Sequence, residues 1–271
     1  MHVHSDEQPW RAQAGGGFGP LRWKDLLTLE SARSKEFLLG LAELDPGARL
    51  ARHRHEQARV DYMLSGRARI GIGGGHIDLG PGDCIYYPGA APREALALGD
   101  EPARWLTTYA CEMLGHRVQW QPAGAESAAG AAPACLHVAD MEPWAPIEPA
   151  KGLRVRYRRV MDRARHVELI AGVAAIDPGT HYTRHWHDQA ELYYILAGRG
   201  RVFVGDEVFD VRPGSAVYIP SRTVHGADSL GQEPLSLLYV YGCETAGHSI
   251  NWTPVEEIYA DVRVSGKGPV A

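Results

Sequence analysis

Residues 185–198 read HWHDQAELYYILAG, and residues 53–66 read HRHEQARVDYMLSG. Seven of these 14 positions are identical at an offset of 132. The same offset carries Asp45-Pro46-Gly47 onto Asp177-Pro178-Gly179, and PGDCIYYPGAAPRE (81–94) onto PGSAVYIPSRTVHG (213–226). It also carries YACEMLGHRVQW (109–120) onto YGCETAGHSINW (241–252). An offset held without a gap over this distance means two copies of one fold. DEQPW (6–10) is echoed by DMEPW (140–144) with a two-residue indel. Between the copies, QPAGAESAAGAAPA (121–134) is rich in Ala and Gly and has no apolar period, which reads as a linker. The expected division is therefore 1–120, a linker over 121–135, and 136–271. Each unit is large enough for its own core.

Within each unit the apolar runs are short and bounded by turn residues. LLGLAEL (38–44) and LIAGVAAI (169–176) each end in Asp-Pro-Gly, YYILAGRGRVFVG breaks at Ala-Gly, and DVRPGSAVYIP breaks at Pro-Gly. The 31 glycines and 18 prolines fit many turns between short strands, and the expected class is all-β, a sandwich or barrel with few short helices. LRWKDLLTLESARS (21–34) is the exception and reads as a short amphipathic helix. The Gly73-Gly74-Gly75 run opens no helix, so it is a hairpin turn rather than a phosphate loop.

Composition narrows the function. A net charge of −5 argues against nucleic acid, which demands a clustered basic surface. No apolar stretch is long enough to span a membrane, and MHVHSDEQPW lacks a signal-peptide pattern. Cys84, Cys111, Cys135 and Cys243 show no CxxC spacing and read as free thiols in a cytoplasmic protein. The 13 histidines stand out. His185 and His187 lie two apart on an expected strand and so face one way, Glu191 keeps that parity, and His225 follows a turn headed by Pro220. Three imidazoles and a carboxylate converging from two strands suit a first-row divalent metal and leave coordination positions open.

Gly179-x5-His185-x-His187-x3-Glu191-x6-Gly198 resembles the first motif of the cupin superfamily, and Gly214-x5-Pro220-x4-His225 resembles the second. The resemblance covers most of both copies and implies a bicupin, two tandem double-stranded β-barrels. It further implies that His185, His187, Glu191 and His225 ligate one divalent ion, Fe(II), Mn(II), Ni(II) or Zn(II), with no organic cofactor. In the first copy His53 and His55 remain, but Arg59 replaces Glu191 and Arg93 replaces His225. Two guanidiniums repel a cation, so this degenerate site is expected to hold no metal. Arg59 shares parity with Asp61 and can pair with it. The alternative is an anion site of Arg59, Arg93 and the two histidines.

Tyr193 shares the inward parity of Glu191, and Tyr194 points the other way. The pattern His-x-His-x3-Glu-x-Tyr, with a later His, is similar to the cupin-type dimethylsulfoniopropionate lyases. That resemblance implies a metal acting as Lewis acid on a substrate carboxylate and Tyr193 as the base that removes the α proton. An aromatic here also serves simply to pack a barrel. The two-barrel size is similar to the ureidoglycine aminohydrolases, which place Glu first and His where Glu191 stands. Other bicupins are Fe(II) dioxygenases or manganese decarboxylases, and a non-catalytic small-molecule binding module is a further reading. His181, Arg222 and Tyr239 are candidate substrate contacts, against the readings of solvated loop, surface charge and unassigned strand face. Trp186 is expected to point away from the ligands and pack on the neighbouring barrel. His116 and His248, with Trp120 and Trp252, recur in both copies and read as structural. The expected partner is a small molecule, with a homodimer open through edge strands and no nucleic acid or membrane.

Overall fold

A computed structural model describes residues 1–12, 19–72, 74–111, 118–124, 134–140, 145–147, 155–161, 169–242 and 253–254. Each copy forms one seven-stranded and one five-stranded antiparallel sheet. In the first barrel the larger sheet runs Ala134–Leu136, Cys84–Tyr87, Arg59–Ser65, Ala103–Ala110, Phe37–Leu44, Arg22–Leu27, Arg11–Ala12. The smaller runs Gln121–Pro122, Arg49–Arg54, Arg93–Leu98, Arg67–Ile72, Gly75–Leu79. In the second barrel the larger sheet runs His2–His4, Ser215–Ile219, Glu191–Ala197, Leu235–Gly242, Leu169–Ile176, Val155–Met161, Ala145–Ile147. Its smaller sheet runs Glu207–Val211, Gly200–Val204, His225–Ser229, His181–Trp186, Thr253–Pro254. The two strand orders match under the repeat.

The outer strands cross over. His2–His4 pairs with Ser215–Ile219, Val3 facing Ala216, and so completes the second barrel. Ala134–Leu136 pairs with Cys84–Tyr87, Cys135 facing Ile85, and completes the first. Ser5 N donates to Gly214 O, and Lys24 Nζ donates to Ser5 O, both reinforcing the exchange. Both ends of the stretch expected as linker, 121–135, are thus strand residues of the first barrel. Residues 125–133 lie outside the described residues, as do His116, His248, Trp252, Cys243 and residues 141–144.

Alternation along single strands builds the core. In Glu191–Ala197, Tyr193 and Ile195 enter the interior of the second barrel, whereas Leu192 and Tyr194 enter a cluster shared by both barrels. In Arg59–Ser65, Met63 points into the first barrel and Val60 and Tyr62 enter the shared cluster. The shared cluster also holds Phe37, Leu39 and Leu41 from one copy and Leu169, Leu238 and Val240 from the other, so the large sheets pack back to back. Fully burying one such side chain stabilises by about 1.5–3 kcal/mol. Tyr218 Oη donates to Glu36 Oε2 at 2.5 Å across the same interface.

Two expectations change. Residues 21–34 are not one helix: Arg22–Leu27 is a strand, and only Leu29–Ala32 is helical, started by a Thr28–Ser31 capping box. Leu26 and Leu27 are each drawn into the core, where sheet packing overrides the helical pattern. Trp186 is half-buried on the five-stranded sheet and is not part of the shared cluster. The Asp-Pro-Gly turns form as expected. Ala48 N and Thr180 N close onto Asp45 O and Asp177 O, and Gly47 and Gly179 take φ of 72° and 69°, a conformation that favours glycine. Among the described residues no helix is long and apolar enough to cross a membrane, and Cys84, Cys111 and Cys135 are free.

Candidate metal centre

His185 and His225 lie opposite each other in the small sheet of the second barrel. His187 follows at the strand's end, and Glu191 opens the facing strand of the large sheet. Donor atoms of the four lie within 4.8 Å of one another, and each residue is no more than 1% exposed. Glu191 Oε2 is 3.0 Å from His225 Nε2 and 3.4 Å from His187 Nε2.

Backbone carbonyls orient the three rings. His185 Nδ1 is 2.8 Å from Thr183 O, His187 Nδ1 2.8 Å from Gln189 O, and His225 Nδ1 2.8 Å from Thr223 O. A carbonyl only accepts, so each Nδ1 carries a proton and Nε2 is the ring atom turned toward the cluster. Burial, then the neighbouring His225, lowers the His185 pKa to about 3, which keeps its imidazole neutral. Burial opposes ionisation of Glu191, but hydrogen bonds from His187 and His225 outweigh it and lower the pKa to about 2. Glu191 Oε1 is buried with no hydrogen-bond partner. Three imidazole Nε2 atoms and one carboxylate with a spare buried oxygen, all converging on one point, fit a divalent cation.

The turn before His225 is tied to this set. Arg222 N donates to His187 O at 2.9 Å, and Arg222 adopts φ 58°. Ala90 repeats both features in the first copy, with φ 62° and a bond to His55 O. The left-handed residue therefore belongs to the turn, not to the chemistry of one site. The Arg222 guanidinium points outward, 74% exposed, and pairs with Asp188 Oδ1 at 2.8 Å. It is not brought to the cluster, and neither is His181, which is exposed.

A β-bulge between Tyr182 and His185 explains the position of His181. Strict alternation places residue 181 on the face of His185; the extra residue reverses this and turns Tyr182 inward. Tyr182 packs against the interior core with its ring 4.8 Å from that of His185. Simple parity misses it. Tyr239 and Tyr241 face Tyr193 and Glu191 in register, which settles their side as inward. Tyr241 lies 5.0 Å from His187 ring to ring, and Tyr239 lies 5.4 Å from Tyr241. Gly172 faces Tyr239, and a Cβ there would collide with the Tyr239 hydroxyl, so the missing side chain makes that phenol's seat. Tyr193 is 1% exposed, with its ring 6.2 Å from that of His225. Burial, then the charge of Glu191, holds its phenol well above the usual value.

The first barrel fills the equivalent space differently. Arg59 Nη2 pairs with Asp61 Oδ2 at 2.5 Å, and Arg59 Nη1 donates to Tyr109 Oη at 3.1 Å. Thr107 Oγ1 donates to Asp61 Oδ1 at 2.7 Å. Both guanidiniums stand over the Tyr87 ring, Arg59 at 4.9 Å and Arg93 at 4.7 Å. Trp120 stacks on His53 at 4.3 Å and meets His55 edge-on at 4.6 Å. Burial, then Arg93 and Arg59, lowers His53 to about 2. Two permanent cations beside these imidazoles oppose a metal.

A cupin-domain family model matches residues 40–109 and 172–241. An uncharacterised protein of Methanocaldococcus jannaschii is 41% identical over 70 residues, covering 26% of this chain and 55% of that protein. A dimethylsulfoniopropionate lyase of Ruegeria pomeroyi is 31% identical over 108 residues, covering 40% of this chain and 70% of the lyase. The crystal structure of Lactobacillus farciminis oxalate decarboxylase in a formate complex superposes with a TM-score of 0.73 at 17% identity. That superposition covers 100% of this chain and 94% of the decarboxylase, and it describes the shared two-barrel fold.

Proposed function

The chain belongs to the cupin family, and from this we propose that it is a metal-dependent enzyme whose second barrel carries out lyase chemistry on a small carboxylate-bearing molecule. One observation carries the reading. Glu191 and Tyr193 occupy successive inward positions of one strand, so a buried phenol stands beside a three-histidine, one-carboxylate donor set. His185, His187, Glu191 and His225 would hold the ion. When bound, a divalent cation supplies Lewis acidity to a carboxylate placed on it, which acidifies the adjacent C–H.

Tyr193 is the proposed base. As phenolate its Oη takes the α proton, the C–H electron pair becomes a C=C bond, and the β substituent leaves with its own bonding pair. Burial and Glu191 hold this phenol protonated, and neutralising the Glu191 charge by ligation acts in the opposite direction. Tyr182, Tyr239 and Tyr241 line the same interior and would exclude water and orient the substrate. The match to a dimethylsulfoniopropionate lyase supports a 3-substituted propionate as substrate class.

The test is anaerobic turnover. Protein loaded separately with Fe(II), Mn(II), Ni(II) or Zn(II) is mixed with dimethylsulfoniopropionate and other 3-substituted propionates, and acrylate-type product is followed. Product without O2 supports the lyase. Turnover only with O2 assigns an Fe(II) dioxygenase instead, and hydrolytic release of ammonia assigns an aminohydrolase-like reaction. Tight carboxylate binding with no turnover assigns a binding module.

A further inference from the structure

We infer that the first barrel is an anion site: the Arg93 guanidinium binds a small monovalent anion, a carboxylate or a halide, where the second barrel has a donor set for a cation. The inference rests on the first barrel alone and is independent of the chemistry proposed for the second.

The two interiors are built differently. In the second, Glu191 stands among three imidazoles, each with its Nδ1 held by a backbone carbonyl. In the first, among the described residues, Arg59, Asp61 and Arg93 are all buried and together carry one positive charge. Asp61 does not answer both cations, because its oxygens are already engaged. Oδ2 takes Arg59 Nη2 and Oδ1 takes Thr107 Oγ1.

Among the described residues, Arg93 is therefore the buried cation of this interior that no carboxylate answers. It is 2% exposed, and its Nε and Nη2 are buried with no hydrogen-bond partner. Its surroundings are the Tyr87 ring at 4.7 Å, the Tyr109 hydroxyl, and His53, which faces it across the strand pair. Burial raises the Tyr87 phenol well above its usual range, and burial, Arg93 and Arg59 hold His53 neutral. Burial lowers Arg93 itself to about 10, still protonated near neutrality. An uncompensated buried charge costs several kcal/mol. An anion removes that cost, and a guanidinium edge presenting Nε and Nη2 matches a carboxylate's two oxygens. Stacking on Tyr87 fixes the plane of the fork in advance. The neutralising charge is monovalent because one positive charge is unanswered among the described residues.

The test uses the full-length, metal-loaded protein. Crystals are equilibrated in sodium bromide and the bromide is located by anomalous scattering, with and without competing sodium formate. In parallel, melting temperature is followed against formate with ionic strength balanced by sulfate, for the wild type and Arg93→Met. The expected result is a bromide peak within hydrogen-bond reach of Arg93 Nε and Nη2 that formate abolishes. A saturable rise in melting temperature should accompany it and be lost in Arg93→Met. Should that variant not fold, the wild-type diffraction decides alone. Absence of any bromide at Arg93 overturns the inference, as does a peak or melting shift that survives in Arg93→Met. Formate bound in the second barrel is distinguished by its position.

Discussion

His225 Nε2 lies 3.0 Å from Glu191 Oε2 although the two side chains come from different sheets. Nothing in either sheet's own hydrogen bonding demands this approach, which draws a buried base and a buried carboxylate into one cluster. Replacing Glu191 with Gln keeps the shape and removes the charge. Divalent metal affinity should fall by about 100-fold or more, at or beyond the loss seen for supporting residues of metal sites. His185→Ala should also strip metal, whereas His53→Ala should retain it. Elemental analysis after dialysis reads all three, and equal loss from His185→Ala and His53→Ala would contradict a single metal site in the second barrel.

Tyr193→Phe removes one oxygen from a side chain that is otherwise core. Metal content and melting temperature should hold close to the wild type, while turnover drops by roughly 10²-fold or more if the phenol moves the proton. An unchanged rate at saturating substrate would make Tyr193 a packing residue.

Acid should weaken the metal-free protein. His53 and His185 have folded pKa values lowered to about 2 and about 3, below the ordinary 6.5. A lowered folded value means the unfolded chain takes up its protons first. The stabilisation is present above pH 6.5 and is lost as pH falls toward 3, by up to about 1.4 kcal/mol per pH unit for each group. Glu191, lowered to about 2 from 4.5, adds its share only below pH 4.5. Urea midpoints for chelated protein at pH 7.5 and 5.5 measure the effect, and identical midpoints would mean that both imidazoles titrate normally.

Gly172→Ala places a methyl group against the Tyr239 hydroxyl. Overpacking of this kind costs about 1–3 kcal/mol. The four donors lie on other segments, so metal content should stay constant while melting temperature falls and KM for the substrate rises. A variant with unaltered KM would remove Tyr239 from the substrate pocket.

Much of this architecture is written in local pattern. The offset of 132 carries whole strands onto their counterparts, and alternate positions in residues 191–195 assign Glu191, Tyr193 and Ile195 to one interior without any coordinates. The Arg59 and Arg93 replacements likewise announce a site of changed charge. What escaped the pattern depends on departures from regular pairing. A single bulge exchanged His181 for Tyr182, because period-two parity assumes an unbroken ladder. Arg222 is a candidate substrate contact by its place beside His225, but its guanidinium is exposed and pairs with Asp188. The exchange of His2–His4 and Ala134–Leu136 is a long-range pairing of short strands, and three residues carry too little pattern to name a distant partner. Residues 21–34 misled because a helical spacing of leucines also suits a strand entering a shared core.

The crossed outer strands also bear on how the chain is made. As the polypeptide leaves the ribosome, residues 84–87 emerge well before their partners at 134–136, and residues 2–4 wait for 215–217. The first half thus spends part of its synthesis with an open sheet edge, and the second half closes only when the strand His2–His4 reaches it. Cutting between the repeats would yield two fragments that each lack a strand held by the other. Mixed together, such fragments should recognise one another, so the duplication that produced two barrels has left them a single unit of assembly.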